Sequence, residues 1–444
     1  MIDWTRYPLV RLFIPFLLGI FAGYLCIIEW NWILSTKSLI VTTSGLVCSQ
    51  IVCDYLFSKQ PYRHKGYVFN ILAFTTFFLL GLTLSAKSHT KAWNLYGESY
   101  KYEIYKQNNF QNEKALAIQQ MLHHRFSSQP SFKELNHHDE CAVIEAMTIG
   151  WREGLSKELK QRYAHAGISH YLALSGYHVG VIFLILLYFF KRINNDFKWQ
   201  RIWNVLILLV LWGYALLTGM SPSIVRATIM CSVITLFKIL QRDIELVNAC
   251  TLAAFLILAC DPLLINHIGF QLSFCSVYGI ALMGRWIPWN FFWGGLGICV
   301  ICTIATAPLV AYHFGSIPLY GMLSNIYATF LAPPILVLSL LWWLVTAGGQ
   351  LITHLSDGIA TLLQWVTWSL NKIASSVSHL PYATLHIRPN ITEVLLCYVC
   401  IFTLVSLFYK VTRKRILFLL LLLIGTLFLA FLRKMDFCFG FFKE

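Results

Sequence analysis

Apolar residues run along this chain in long unbroken blocks, separated by short polar connections. Blocks long enough to cross a bilayer, roughly 17–25 residues, recur along most of the length. The clearest are Leu12–Ile28, Tyr67–Ser85, Ile168–Phe190, Ser223–Leu240, Phe292–Tyr312 and Ile416–Leu432. Shorter or less continuous pieces, Leu246–Cys260 and Gln350–Ser378, bring the expectation to about 11–13 spans. The blocks are continuous, unlike the roughly ten-residue alternation of barrel strands. They predict helices, whose backbone groups are satisfied within the segment in lipid. The expected fold class is all-α: a polytopic transmembrane helical bundle with a small extracytoplasmic helical segment.

One long polar stretch breaks the pattern, from Lys87 to Ala166. Its second half has helical spacing over Lys114–Phe126 and His138–Tyr163, with Val143, Met147, Leu155 and Leu159 at mixed three- and four-residue steps. The chain therefore divides into an N-terminal membrane block of three spans (1–86), a polar helical linker (87–166) and a second membrane block (167–444). No tandem repeat is visible. The first apolar run has no small-residue cleavage site, so it is expected to stay as a span. In the second block the connections Thr218–Pro222 and Gly284–Asn290 are short, which favours antiparallel neighbours. Gly176, Gly269, Gly279, Pro308 and Pro333–Pro334 interrupt the spans. Irregular backbone at membrane depth persists where it is buried in protein or lines a water-filled cavity, so this pattern points to a pathway or pocket.

Composition agrees. Of 444 residues 57% are hydrophobic and only 12% charged. The net charge of +14 has a plain explanation in cytoplasmic loops rich in Lys and Arg. Arg6 and Arg11, then Lys59, Arg63 and Lys65, then Lys191, Arg192, Lys198 and Arg201, then Lys410, Arg413, Lys414 and Arg415 all fall on one side if crossings alternate. That side is cytoplasmic and the 87–166 linker is outside. The 13 cysteines lie mostly in apolar runs, as Cys26, Cys231, Cys275 and Cys299 do, where they act as small apolar residues. None has metal-ligand spacing, so neither zinc nor disulfides are expected and no cofactor is implied. Asn136–Glu140, rich in ligand-type side chains, reads as a solvated polar loop.

Four polar clusters sit inside the apolar runs. The first, His170 to Gly180, carries His170, Ser175 and His178. On a continuous helix Ser175 and His178 would share a face. The second is Thr218-Gly-Met-Ser-Pro-Ser-Ile-Val-Arg-Ala227. There Gly219 can end one helix, Ser221 can cap the next, and Pro222 suits its first position. Arg226 follows one turn in, beyond Ser223. A helix N-terminus with a guanidinium one turn inside is a phosphate-binding corner, although an arginine snorkelling to the interface is the plainer reading. The third cluster, Gly269–Ser276, holds Gln271, Ser273 and Ser276, and interhelical hydrogen bonding explains these equally well. The fourth runs from His313 through Asn325 to Pro333–Pro334, a pair expected to break or bend its helix.

Together these segments resemble the ComEC competence family. His170–Gly180, HYLALSGYHVG, is similar to the family's HLLAxSGLHVG motif. Gly219–Met230, GMSPSIVRATIM, resembles its second signature, with Ser223, Arg226 and Ala227 on matching positions. Phe270–Phe274, FQLSF, matches a third, and the region of Asn325 and Pro333–Pro334 fits its NLxxxP stretch. The resemblance is strong over Ile144–Pro334. It implies an inner-membrane channel that passes single-stranded transforming DNA, with His170, Ser175, His178, Ser221, Ser223, Arg226, Gln271, Ser273 and Asn325 as path or phosphate contacts. The partners it implies are single-stranded DNA, an extracytoplasmic DNA receptor, a cytoplasmic motor or strand-binding protein and the lipid bilayer, with a homo-oligomer as an open option. Many members also carry an OB-like domain and a metallo-β-lactamase-like nuclease domain. The linker looks too short and too helical for the first, and the HxHxDH metal motif of the second is missing, so the expectation is channel and not enzyme. Two other readings remain. Ala173-Leu-Ser-Gly176 is similar to the Ser-Gly tetrapeptide of intramembrane serine proteases, which would make Ser175 a nucleophile needing a histidine base. A secondary transporter for a small anionic solute would use the same polar clusters.

Overall fold

The computed structural model of the chain describes residues 8–28, 73–88, 113–127, 138–193, 197–287, 291–347 and 353–409. The span expected over Ile416–Leu432 and the basic clusters at Lys59–Lys65 and Lys410–Arg415 lie outside these residues. Among the described residues the only extended pieces are Ile317–Pro318 and Thr384–Leu385, paired antiparallel. Everything else with regular structure is helical, so the chain is an all-α polytopic protein, divided into two compact units.

The first unit comprises residues 1–116 and 176–274. It holds α1 (Pro8–Ile28), α2 (Ala73–Ser88), α6 (Gly176–Ile193), α7 (Phe197–Leu217), α8 (Pro222–Ile239) and α9 (Leu246–Cys260). Helices α1 and α2 meet at glycines. A Cβ on Gly19 would lie 1.9 Å from the carbonyl oxygen of Phe78, and one on Gly81 2.1 Å from that of Phe16. Small residues at a crossing let two backbones approach, the usual device where lipid supplies no hydrophobic drive between helices. Phe255 of α9 fills the other side, 4.7 Å from the Phe16 ring and 5.8 Å from Phe77. Helices α6 and α7 are joined by the stacking of Phe190 on Trp203 at 4.5 Å.

The second unit comprises 117–175 and 275–444. It holds α4 (His138–Thr148), α5 (Lys157–His165), α11 (Phe291–Phe314), α12 (Gly321–Ala347), α13 (Thr353–Ser378) and α14 (Ile391–Tyr409). Helices α3 (Glu113–Ser127) and α10 (Ile268–Met283) cross from one unit's residues to the other's. The linker helices are held by polar bonds. The Tyr163 hydroxyl donates to Asn371 Oδ1 at 2.7 Å and Asn371 Nδ2 donates to Glu140 Oε1 at 3.4 Å. Gln119 Nε2 donates to the Ile149 carbonyl at 2.7 Å.

Among the described residues four helical stretches are long and apolar enough to cross a membrane: Trp199–Leu217, Pro222–Ile239, Trp293–Phe314 and Gly321–Thr346. Large apolar side chains also cover outward faces, and the interior admits polar ones. Ile202, Leu209 and Leu216 of α7 face outward, while Thr218, Thr228, Thr235 and Thr251 are buried. Thr218, Thr235 and Thr251 return their hydroxyls to carbonyls one turn back, which satisfies a polar group without water. This is a membrane protein.

Three local expectations need correction. The apolar run Ile168–Phe190 is not one helix: Ser169–Tyr171 form a 3-10 turn and α6 starts at Gly176. The Asn136–Glu140 stretch is not all loop, because His138–Glu140 open α4 and Glu140 is buried. Its acidic residues suit a helix N-terminus, where they complement the dipole. The pair Pro333–Pro334 does not end its helix, since α12 runs through it.

Candidate functional site

The site is built around the start of α8. Helix α7 ends at Leu217, and Gly219 and Met220 take positive φ of 72° and 54°. Glycine adopts that conformation without steric cost. Ser221 then takes the N-cap position and Pro222 the first helical position, where a missing N–H costs nothing. The Ser221 side chain makes no cap bond, and its hydroxyl is buried without a hydrogen-bond partner. The first-turn amides of α8 are thus not taken up by the residue best placed to do so.

Arg226 lies one turn further on and is 4% exposed. Its Nε has no hydrogen-bond partner, and no carboxylate among the described residues pairs with it. Asp261, an acidic residue of the same unit, is engaged elsewhere: its Oδ1 accepts from the Leu263 N–H at 3.1 Å and from Ser88 Oγ at 3.4 Å. The Arg226 guanidinium instead reaches the first turn of α10, where Nη2 would lie 3.0 Å from a Cβ on Gly269. His267 is beside it. Its Nδ1 accepts from the Gly269 N–H at 3.1 Å, which leaves the proton of the neutral ring on Nε2. One residue beyond Arg226, Ala227 packs 3.3 Å from a Cβ position on Gly176, the first residue of α6.

The other expected site residues are distributed as follows. His178 is the third residue of α6 and is buried (1% exposed), in the first unit. Ser223 shares a helical face with Arg226, three residues apart. Gln271 bonds the chain rather than standing open: its Nε2 donates to the Ile265 carbonyl at 3.0 Å, bracing the Pro262–Asn266 turn. Ser273 follows on α10 and is half-buried. These five, with Ser221, belong to the first unit. His170, Ser175 and Asn325 belong to the second. His170 is exposed on the 3-10 turn, its ring 4.4 Å from that of Tyr171. Ser175 directly precedes α6, so it does not share a helical face with His178 in the way a continuous helix would require. Asn325 Nδ2 donates to the Gly167 carbonyl at 3.4 Å, and Thr329, one turn on, meets the Tyr171 hydroxyl at 3.1 Å. Asn325 and Thr329 together tie α12 to the segment that carries His170. Gly269 and Thr329 were not expected from sequence as contributors: nothing local to either marks a contact with a residue so far along the chain.

The sequence profile of the competence protein family matches residues 147–411, more than half of the chain. The chain belongs to the ComEC competence family. All nine expected site residues fall inside the matched region. The family's relatives include ComE operon protein 3 of Bacillus subtilis (strain 168), 26% identical over 245 residues, which cover 53% of this chain and 30% of that protein. Recombination protein 2 of Haemophilus influenzae (strain ATCC 51907 / DSM 11121 / KW20 / Rd) is 26% identical over 264 residues, 52% of this chain and 32% of the relative. An uncharacterized Escherichia coli (strain K12) protein, YcaI, is 26% identical over 258 residues, 52% and 33% respectively. The chain thus aligns with about a third of the length of these relatives. No solved structure is significantly similar to it.

Proposed function

We propose that this chain is the membrane channel through which a single strand of transforming DNA crosses the inner membrane during natural competence. Family membership supports a role in DNA uptake, and the names of two relatives, a ComE operon protein and a recombination protein, fit it. The observation that carries the reading is Arg226: a buried guanidinium, without a carboxylate partner among the described residues, at the start of a membrane-length helix. A charge in such a place is costly and is retained for function. A strand carrying one phosphate per nucleotide needs such groups along its way. In this reading the multi-pass blocks 1–86 and 167–444 hold the path, and 87–166 faces the extracytoplasmic side. Ser221, Ser223 and Arg226 receive phosphates. His170, Ser175, His178, Gln271, Ser273 and Asn325 offer weak, exchangeable hydrogen bonds, because a tight site would stall the strand. A receptor outside and a motor or strand-binding protein inside would complete the route.

The test is transformation by strains carrying Arg226→Lys and Arg226→Gln, with the membrane abundance of the protein measured alongside. The lysine variant is expected to retain partial transformation, since a point charge still attracts phosphate but the planar fork is gone. The glutamine variant should fall much further at unchanged abundance. Normal transformation by Arg226→Gln would remove Arg226 from the path.

A further inference from the structure

The start of α8 is not the only helix N-terminus at this place. Helices α6, α7, α8 and α9 follow one another through short connections, so their directions alternate. The N-termini of α6 and α8 therefore lie at the same end of the unit, as does that of α10, which follows the C-terminal end of α9. The contacts agree: Gly176, the first residue of α6, abuts Ala227, and Gly269, in the first turn of α10, abuts the Arg226 guanidinium. All these residues belong to one compact unit. Each helix N-terminus carries about half a positive charge. Three such ends around a buried arginine repel one another, and no carboxylate among the described residues neutralises Arg226.

We propose that the first turns of α6, α8 and α10 form, with Arg226 at the centre, a site for a single phosphate group. The side chain that points to a ligand is Arg226 itself, 4% exposed and with Nε unpartnered. Its planar fork matches two oxygens of a tetrahedral oxyanion. The buried, unpartnered Ser221 hydroxyl and the Nε2–H of His267 are further donors of the same region. Gly269 is the residue that admits the guanidinium. An alanine there would put a Cβ 3.0 Å from Nη2 and 3.2 Å from His267 Nδ1, tight enough to shift the fork and the ring by a few tenths of an ångström. The phosphate can come from the phosphodiester of a DNA strand or from free orthophosphate. That the strand is the physiological source rests on the strand-passage reading above; the site itself does not.

The experiment uses the full chain in zwitterionic phosphatidylcholine nanodiscs. Binding of a fluorescein-labelled oligothymidylate is followed by anisotropy, with orthophosphate as competitor against chloride at equal ionic strength. Orthophosphate should displace the oligonucleotide where chloride does not. Arg226→Gln should weaken orthophosphate binding about ten- to hundredfold, as expected for losing charge-assisted hydrogen bonds. Gly269→Ala, which keeps the charge, should weaken it in the same direction, and an unchanged unfolding temperature for that variant guards against simple misfolding. Orthophosphate affinity unaltered in both variants, or displacement that follows ionic strength alone, would overturn the site. Transformation by the same variants separates the two ideas. If phosphate binding is lost but transformation is normal, the site stands and its part in strand passage falls. If transformation is lost and binding is unaltered, the site falls and strand passage stands.

Discussion

Arg226→Gln should make the ligand-free protein more stable while it sharply lowers transformation. A charge buried without a partner carries an effective penalty of several kcal/mol even after relaxation. Glutamine keeps part of the aliphatic stem's packing but adds an amide that must find its own bonds, so a net gain of about 1–3 kcal/mol is expected. For a unit of this size each kcal/mol moves the unfolding temperature by roughly 2–4 °C. The variant purified without phosphate or sulfate should therefore unfold several degrees above the native chain. Adding phosphate at constant ionic strength should close the gap, because the anion binds only the native chain and stabilises it by mass action. The assay is thermal unfolding in detergent, followed by intrinsic tryptophan fluorescence. A structural arginine, paired with a carboxylate, predicts the reverse. Arg226→Gln would then unfold at a lower temperature in both buffers, and adding Asp261→Asn would restore it. That pattern would make Arg226 half of a structural ion pair and rule out a buried charge without a partner.

Orientation is testable with an impermeant thiol reagent. Cysteine at Lys160, exposed on α5, should label in intact cells above the background of native cysteines, and cysteine at Lys191, exposed at the end of α6, should label only after permeabilisation. Gln271→Ala should lower the unfolding temperature by the loss of its bond to the Ile265 carbonyl, worth about 1 kcal/mol, whereas Ser273→Ala, which has no such bond, should leave it unchanged. Burial raises the Glu145 pKa above the ordinary carboxylate value, partly offset by the hydrogen bond and charge of His123, 2.8 Å away. A raised folded-state pKa favours the protonated carboxyl, so this group's stabilisation is full at low pH and is lost as pH rises through the folded value. Glu145→Gln should accordingly match the native unfolding temperature at low pH and exceed it at neutral pH; a gap that is widest at low pH would contradict this.

Much of the architecture was legible because the same signals that set helix ends are local. Gly219, Ser221 and Pro222 mark the end of one helix and the start of the next in sequence, and the chain turns there. The polar linker's helix over Glu113–Ser127 followed from spacing alone. Hydropathy, in contrast, could not tell where α6 begins. Tyr171, Leu172 and Leu174 are apolar and buried whether they sit in a helix or in the irregular stretch before Gly176. Nor could it show that Glu140 is buried, since that depends on Asn371, 231 residues away. The start of α8 was readable as a helix corner holding Arg226. The approach of Gly269 to that guanidinium was not, because a glycine within an apolar run carries no mark of the side chain it makes room for.

The proposed passage of the strand through this chain is tested most directly by following labelled transforming DNA in a strain deleted for the gene, scoring DNA outside the inner membrane separately from single strands in the cytoplasm. Extracytoplasmic DNA should still accumulate while cytoplasmic strands disappear, and the native gene should restore them where the Arg226→Gln form does not. Cytoplasmic strands at normal levels in the deletion strain would contradict it.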